Sequence, residues 1–503
     1  MHTGFDNERY LDEQSKCIIE RAKSFDNKLY IEFGGKLTHD YHAARILPGF
    51  DPNVKVRLLQ RLRDQVEIIL CIYACDIERK KMRADFGITY DVDMLRLIDE
   101  LRGHGLTVSS VVITRFDEQP SAVQFRSRLE RRGVRVYTHR ATKGYPTDVD
   151  RIASDEGYGA NPYVETTMPV VVVSAPGPCS GKMATCLSQI YHEHRRGRPS
   201  GYAKFETFPI WNLPLKHPVN VAYEAATADI GDFNMIDSYH LEAHGAIAVN
   251  YNRDVEIFPV LKRILEKVTG CASVYQSPTD MGVNRAGFAI TDDALVREAA
   301  IQEVIRRVYR YRCEYALGTA EHRTVERAEL LLKELGAAQS DRPVVSPALA
   351  AAERAAQQRK GRDGIFCGAA IQLADGRLVT GGNSPLLHAA SSLLLNALKM
   401  LASLPDEMHL LSPSVIESIR HLKLDLLQGR SPSLDLEETL IALSVSAAVN
   451  PAAQMAIEKL PQLRGCEVHL SHIPATGDEA GLRRLGVNVT CEAEFAGHNL
   501  FIC

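Results

Sequence analysis

The chain has 503 residues, more than one hydrophobic core usually serves, so two or three domains are expected. Lys and Arg number 59 against 63 Asp and Glu, a formal charge of −4, and basic and aromatic residues do not interleave, so no nucleic-acid partner is expected. No apolar run reaches the roughly 18 residues of a membrane span, the N-terminus is acidic without an apolar signal core, and the eleven cysteines form no CxxC pair. A cytoplasmic protein with reduced thiols and no membrane partner is the expectation.

From residue 25 to about 175, strand-like and helix-like signals alternate. Runs at 29–33, 66–72, 108–113, 134–137 and 170–173 are apolar and mostly β-branched, and amphipathic patterns at 92–102 and 122–132 lie between them. The fold class predicted is α/β, with mostly parallel sheets covered by helices on both faces in a P-loop-like or Rossmann-like N-terminal region. In such sheets ligands sit beyond the C-terminal strand ends. Residues 1–336 are read as this N-terminal domain, and a break near 165 would divide it into two subdomains.

Two loops fall at the expected edge. Gly34, Gly35 and Lys36 follow the first strand, where glycines let a ligand approach the backbone and the lysine adds charge. After the run Val170-Val171-Val172-Val173 comes Ser174-Ala175-Pro176-Gly177-Pro178-Cys179-Ser180-Gly181-Lys182, and a helical pattern then opens. Unpaired N–H groups and the helix dipole at such a start stabilise an anion, so Gly177, Ser180, Gly181 and Lys182 are assigned to a phosphorylated or carboxylated small ligand. ATP or another nucleotide is the cofactor considered. The Walker pattern is incomplete, because Pro176 replaces its first glycine and Met183 the hydroxyl that holds Mg²⁺. Thr185 lies about 200° further round the helix and does not substitute for it. A thiolate role for Cys179, near a helix start and Lys182, is the weaker use of the same loop.

Further on, 202–208 and 245–249 read as strands, the second ending in Asn250-Tyr251-Asn252-Arg253-Asp254. Polar density around them makes Lys204, Glu206, His217 and Asp254 the candidate catalytic residues and Asn250 a binding residue. The enzyme implied is a transferase or hydrolase dependent on a nucleotide or phosphate ligand. His240-Leu241-Glu242-Ala243-His244 sets two imidazoles one turn apart, with Asp237 three residues earlier. The glutamate is misplaced for HExxH and Gly245 ends the element, so no metal ligand is assigned. A metal-dependent hydrolase built on residues 237–244 is the alternative, beside a non-enzymatic oligomeric binding or regulatory protein.

Composition shifts at 337–362, an Ala/Arg/Gln-rich stretch read as a linker plus an exposed helix. The domain expected at 363–503 is a smaller α/β unit. It begins with a hairpin turning at Asp375-Gly376, continues with helices at 386–401, 414–428, 436–449 and after Asn450-Pro451, and closes on strands at 466–470 and 487–491. The 386–401 helix is apolar on several faces, so burial on more than one side is expected, between subunits of a homo-oligomer or inside the domain itself. His469 and His472 are read as structural.

Three long runs carry a resemblance: 175–186, Ala203-Lys204-Phe205-Glu206-Thr207-Phe208-Pro209-Ile210-Trp211-Asn212-Leu213-Pro214, and 249–259. In these the chain resembles the bacterial family catalogued as domain of unknown function 1846, over essentially its whole length. Cys179 stands where that family's loop is expected to carry a third glycine. The resemblance implies little about activity: an ATP-dependent peptidase label carried by some members has no matching HExxH, Ser–Lys or Ser–His–Asp set here.

Overall fold

A computed structural model describes residues 3–26, 28–83, 86–429 and 431–497. The chain divides into two compact units, 1–300 and 301–503.

The first unit is built on six parallel strands: β1 (Leu29–Phe33), β2 (Val66–Tyr73), β3 (Val108–Thr114), β4 (Val136–His139), β5 (Val170–Ser174) and β6 (Gly201–Phe205). Their order is β4-β3-β2-β5-β1-β6. Residues before and after 165 share this one sheet, since β5 lies between β2 and β1. Every residue of β3 and β5 is buried, as a parallel sheet covered on both faces requires. Helices at Tyr90–Gly103 and Pro120–Glu130 match the two amphipathic patterns. One sheet face, carrying Tyr30, Val171, Val173 and Tyr202, packs on α1 (Lys182–Arg195) and on a later helix at 252–269 through Leu187, Ile190, Phe258 and Leu261.

After β6 the chain forms α2 (Pro218–Ala226), β7 (Asn234–Ile236), α3 (Ser238–His244), β8 (Val249–Tyr251), α4 (Asn252–Thr269) and α5 (Pro278–Met281). β7 and β8 pair antiparallel. The strand expected at 245–249 thus begins only at Val249. Gly245 adopts φ 65° to end α3, and Ile247 stays 66% exposed, so the preceding apolar residues belong to a turn.

The second unit holds a four-stranded mixed sheet. Its strands β9 (Gly368–Gln372), β10 (Leu378–Gly382), β11 (Glu467–Leu470) and β12 (Asn488–Cys491) run in the order β10-β9-β11-β12. The hairpin turns at Gly376, with φ 86°. Part of the 337–362 segment, read as linker and exposed helix, is instead α6 (Val345–Gln357), with Val345, Ala348, Ala351 and Ala355 buried. Small residues explain this: a Cβ on Gly368 would lie 2.2 Å from the Ala348 carbonyl oxygen, so helix and strand backbones touch where only alanine and glycine fit. The apolar helix α7 (Ala389–Leu401) buries Ala389, Leu393, Leu394 and Leu398 in this unit's own core, which supplies intramolecularly the burial that its several apolar faces demand. Among the described residues no helix is long and apolar enough to cross a membrane.

Candidate functional site

All six parallel strands deliver their C-terminal ends to one edge, and two features meet there. The first is the loop between β5 and α1. Gly181, the residue before α1, takes φ 86° and provides no side-chain cap, leaving the helix start open. Cys179 is also left-handed, at φ 54°, a conformation that favours glycine and accounts for the glycine expected there. Gly177 lies under the Tyr90 ring, where a Cβ would come within 2.4 Å of a ring carbon. Thr114 Oγ1 donates to the Ser180 carbonyl at 2.7 Å, while the Ser180 hydroxyl is buried without a partner. Thr185 Oγ1 donates to the Gly181 carbonyl at 3.0 Å and is buried, so it does not replace the hydroxyl lost at Met183.

The second feature is a charged cleft lined by Lys204, Glu206, Asn250 and Asp254, with Pro209, Trp211, Thr279 and Asn284 around them. Lys204 projects from β6 beside Glu32 of β1, its partner in register. Its Nζ is 2.5 Å from Asp254 Oδ1 and 3.5 Å from Glu206 Oε1, and it also bonds the Tyr251 hydroxyl. Tyr251 donates to Glu206 Oε1 at 3.1 Å, and the Glu206 backbone N–H donates to Asn284 Oδ1 at 2.6 Å. Gly34 permits this arrangement, since a Cβ there would stand 2.6 Å from Glu206 Cγ. The enclosed volume is about 20 Å³, room for a water or a single reacting group.

Electrostatics separate the roles. Burial pushes the Lys204 ammonium down, but Asp254, Glu206 and Glu32 more than offset this and hold it protonated, which suits a fixed positive charge and not a base. Burial, reinforced by Asp254 and Glu32 against Lys204, raises the Glu206 carboxyl to about 7. Burial likewise raises Asp254, against the pull of Lys204. A carboxyl titrating near neutrality in a cleft can both give and take a proton.

That shift sets a pH dependence. An acid whose folded pKa is raised stabilises the fold relative to its ionised form below its ordinary value, near 4.5, and this stability is lost as pH rises through about 7. Glu206→Gln is therefore expected to match wild type at pH 4 and to exceed it by about 1–3 kcal/mol at pH 8. Urea unfolding followed by the fluorescence of Trp211, the one tryptophan in the chain, reads this directly. A difference that does not change with pH would overturn the assignment.

Other sequence candidates lie elsewhere. His217 is a buried cap: its Nδ1 accepts from the Val219 N–H at 3.3 Å and its Nε2 bonds Asp293 at 2.9 Å. Burial lowers its pKa, and it does not line the cleft. Lys36 is not among the lining residues either; its carbonyl accepts from Lys55 Nζ at 3.1 Å, and Gly35, at φ 69°, sits against that same amine. Asp237 caps α3 through the His240 N–H and accepts from Thr279 Oγ1 at 2.6 Å, so both its oxygens are engaged and it is not the group gathered with the two imidazoles. The third group beside His240 and His244 is Asp280. Sequence reading also missed Glu32, Tyr251 and Asn284. Glu32, a charge inside an otherwise apolar strand, and Tyr251, inside the polar run 250–254, were the visible signals among them.

Residues 3–336 match the family described as Domain of unknown function DUF1846, N-terminal, and residues 340–501 match its C-terminal counterpart. A UPF0371 protein of Clostridium botulinum (strain Kyoto / Type A2) is 56% identical over 501 residues, covering 100% of this chain and 99% of that protein. One from Clostridium tetani (strain Massachusetts / E88) is 54% identical with the same coverage. Matched in both halves and end to end, the chain belongs to the DUF1846 family, whose members carry the name UPF0371 protein.

Proposed function

We propose that the N-terminal unit is an enzyme acting on a nucleotide or another phosphorylated metabolite, with the phosphate on the 176–183 loop and the reacting end in the charged cleft. The observation that carries this reading is the bridge at the start of α4. Arg253 Nη1 is 3.5 Å from Cys179 Sγ in the loop and its Nη2 is 2.6 Å from Asp232, while the next residue, Asp254, holds Lys204 in the cleft. Loop and cleft are thus one residue apart along a single helix turn.

In this scheme the backbone at Gly177 and Gly181 and the open start of α1 receive the phosphate, and the Lys182 ammonium neutralises part of its charge. The unpartnered Ser180 hydroxyl is available as a further donor. Lys204 supplies fixed positive charge to an oxygen entering the cleft, and Glu206 transfers the proton of a hydrolase or transferase step. The small enclosed volume favours entry of one group from an otherwise external ligand.

Equilibrium binding of a nucleotide panel, followed by Trp211 fluorescence, tests the reading because Trp211 lines the cleft. Lys182→Ala is expected to weaken the bound nucleotide by about tenfold or more, since a charge-assisted hydrogen bond to a phosphate contributes about 1.5–3 kcal/mol. Unchanged affinity in the variant, or no binding by wild type across the panel, would overturn it.

A further inference from the structure

α3 and α5 are short helices from different parts of the chain, and one aspartate holds them together. Asp237 accepts from the His240 N–H at 3.0 Å through Oδ1 and from the Thr279 N–H and Oγ1, at 3.1 and 2.6 Å, through Oδ2. Asp280 completes a capping box with Ser277, and its Oδ2 also accepts the Gln276 N–H at 3.0 Å. The carboxylate is therefore oriented by backbone donors before any ligand arrives. Its Oδ1 points to the imidazoles, 2.9 Å from His244 Nε2 and 3.6 Å from His240 Nδ1.

We propose that His240, His244 and Asp280 form a site for a divalent transition metal, with zinc the best fit. The donor atoms all lie within 4.8 Å of one another. Tetrahedral zinc with bonds near 2.05 Å separates its ligand atoms by about 3.3 Å, which the two histidine-to-aspartate distances bracket. Two imidazoles and one carboxylate are a zinc or ferrous donor set with open positions, and His244, 39% exposed along its side chain, leaves solvent access for them. The capping box already fixes the carboxylate and the Asp237 tie fixes the start of α3; His240 Nδ1 bonds Ser277 Oγ at 3.0 Å, a contact that the metal would replace.

The metal would also stand at the cleft. Pro278 and Thr279, the residues before Asp280, line it, and the Trp211 ring, another lining group, is 6.2 Å from the His240 ring. An anionic group entering beside Lys204 would meet a second positive centre on the rim. The metal site itself does not depend on the phosphate reading of the loop.

The test uses the full chain stripped with chelator and titrated with Co²⁺ alone, with Zn²⁺ as competitor. Trp211 is close enough to His240 for a bound Co²⁺ to quench its fluorescence. One equivalent is expected, with visible Co²⁺ absorption and quenching both reversed by Zn²⁺. His244→Ala and Asp280→Asn are each expected to weaken binding about 100-fold, as loss of one of three protein ligands should. Less than about 0.2 equivalents of Zn²⁺ bound at 100 µM by wild type would overturn the proposal. So would binding equally tight in both variants, which would move the metal to the cysteines.

Discussion

Lys204→Ala is expected to destabilise the N-terminal unit by about 3 kcal/mol at pH 8 and by less than about 1 kcal/mol at pH 5. Lys204 is 12% exposed along its side chain, and Asp254 and Glu206, its partners, are 16% exposed. The variant leaves these two carboxylates facing Glu32 and the Tyr251 hydroxyl with no cation among them. Breaking a buried pair by removing one partner costs about 3–5 kcal/mol, and the partial exposure here places the effect at the low end. The sign follows from the carboxyls. Already raised in wild type, they rise further once Lys204 is gone, so at pH 5 they take up protons and the repulsion disappears.

Urea unfolding at the two pH values, read by Trp211, measures this in the N-terminal unit alone, because the second unit contains no tryptophan. Equal losses at pH 5 and pH 8 would mean that Lys204 contributes packing and not charge. Lys204→Met, which retains the apolar stem, should lose nearly as much as Lys204→Ala at pH 8 if charge dominates.

How far sequence reached depended on the range of the interaction. The parallel sheet was legible because runs such as Val170 to Val173 state their own burial, and the turn into Gly181-Lys182 states its own geometry. Lys204, Glu206, Asn250 and Asp254 were legible as strand-end polar residues, and they line one cleft. His217 carried the same signal, yet it caps the Val219 N–H, and its other ring nitrogen is tied to Asp293, 76 residues away. Asp280 was hidden likewise, 36 residues from His244, although Ser277-Pro278-Thr279-Asp280 has the spacing of a capping box and marks a fixed carboxylate. Alanine misled the reading of α6. Its small apolar surface, interspersed with Arg and Gln, suggests exposure, but its small size is what close packing on Gly368 requires.

Arg342, in the same stretch, is expected to be the most sensitive single position of the C-terminal unit. Its side chain is wholly buried, and it joins the two parallel strands β11 and β12. Nη1 donates to Glu467 Oε2 at 2.6 Å, Nε to Thr490 Oγ1 at 2.8 Å, and Nη2 to the carbonyls of Asn488 and Val468 at 2.9 and 3.2 Å. Burial lowers the guanidinium pKa to about 10, and Glu467 works against that shift. Glu467 also holds Arg306 at 2.9 Å, so removing Arg342 does not strand its charge; what is lost is the set of four hydrogen bonds across the two strands, with a void in its place, while the Val468 carbonyl keeps a bond from Thr490 Oγ1 at 3.2 Å. Each lost hydrogen bond contributes about 0.5–1.5 kcal/mol and the void adds to this, so Arg342→Ala should lose about 4 kcal/mol. Arg342→Lys keeps the charge but has no planar fork to span both strands, and should lose about 2 kcal/mol. Native-state hydrogen exchange on peptides covering 467–491 measures both, with protection falling by about 10³ for alanine and 10–100-fold for lysine. Equal losses for the two variants would show that the charge is dispensable and that the fork geometry alone ties the strands; a fall under tenfold for Arg342→Ala would show that these strands are held from elsewhere.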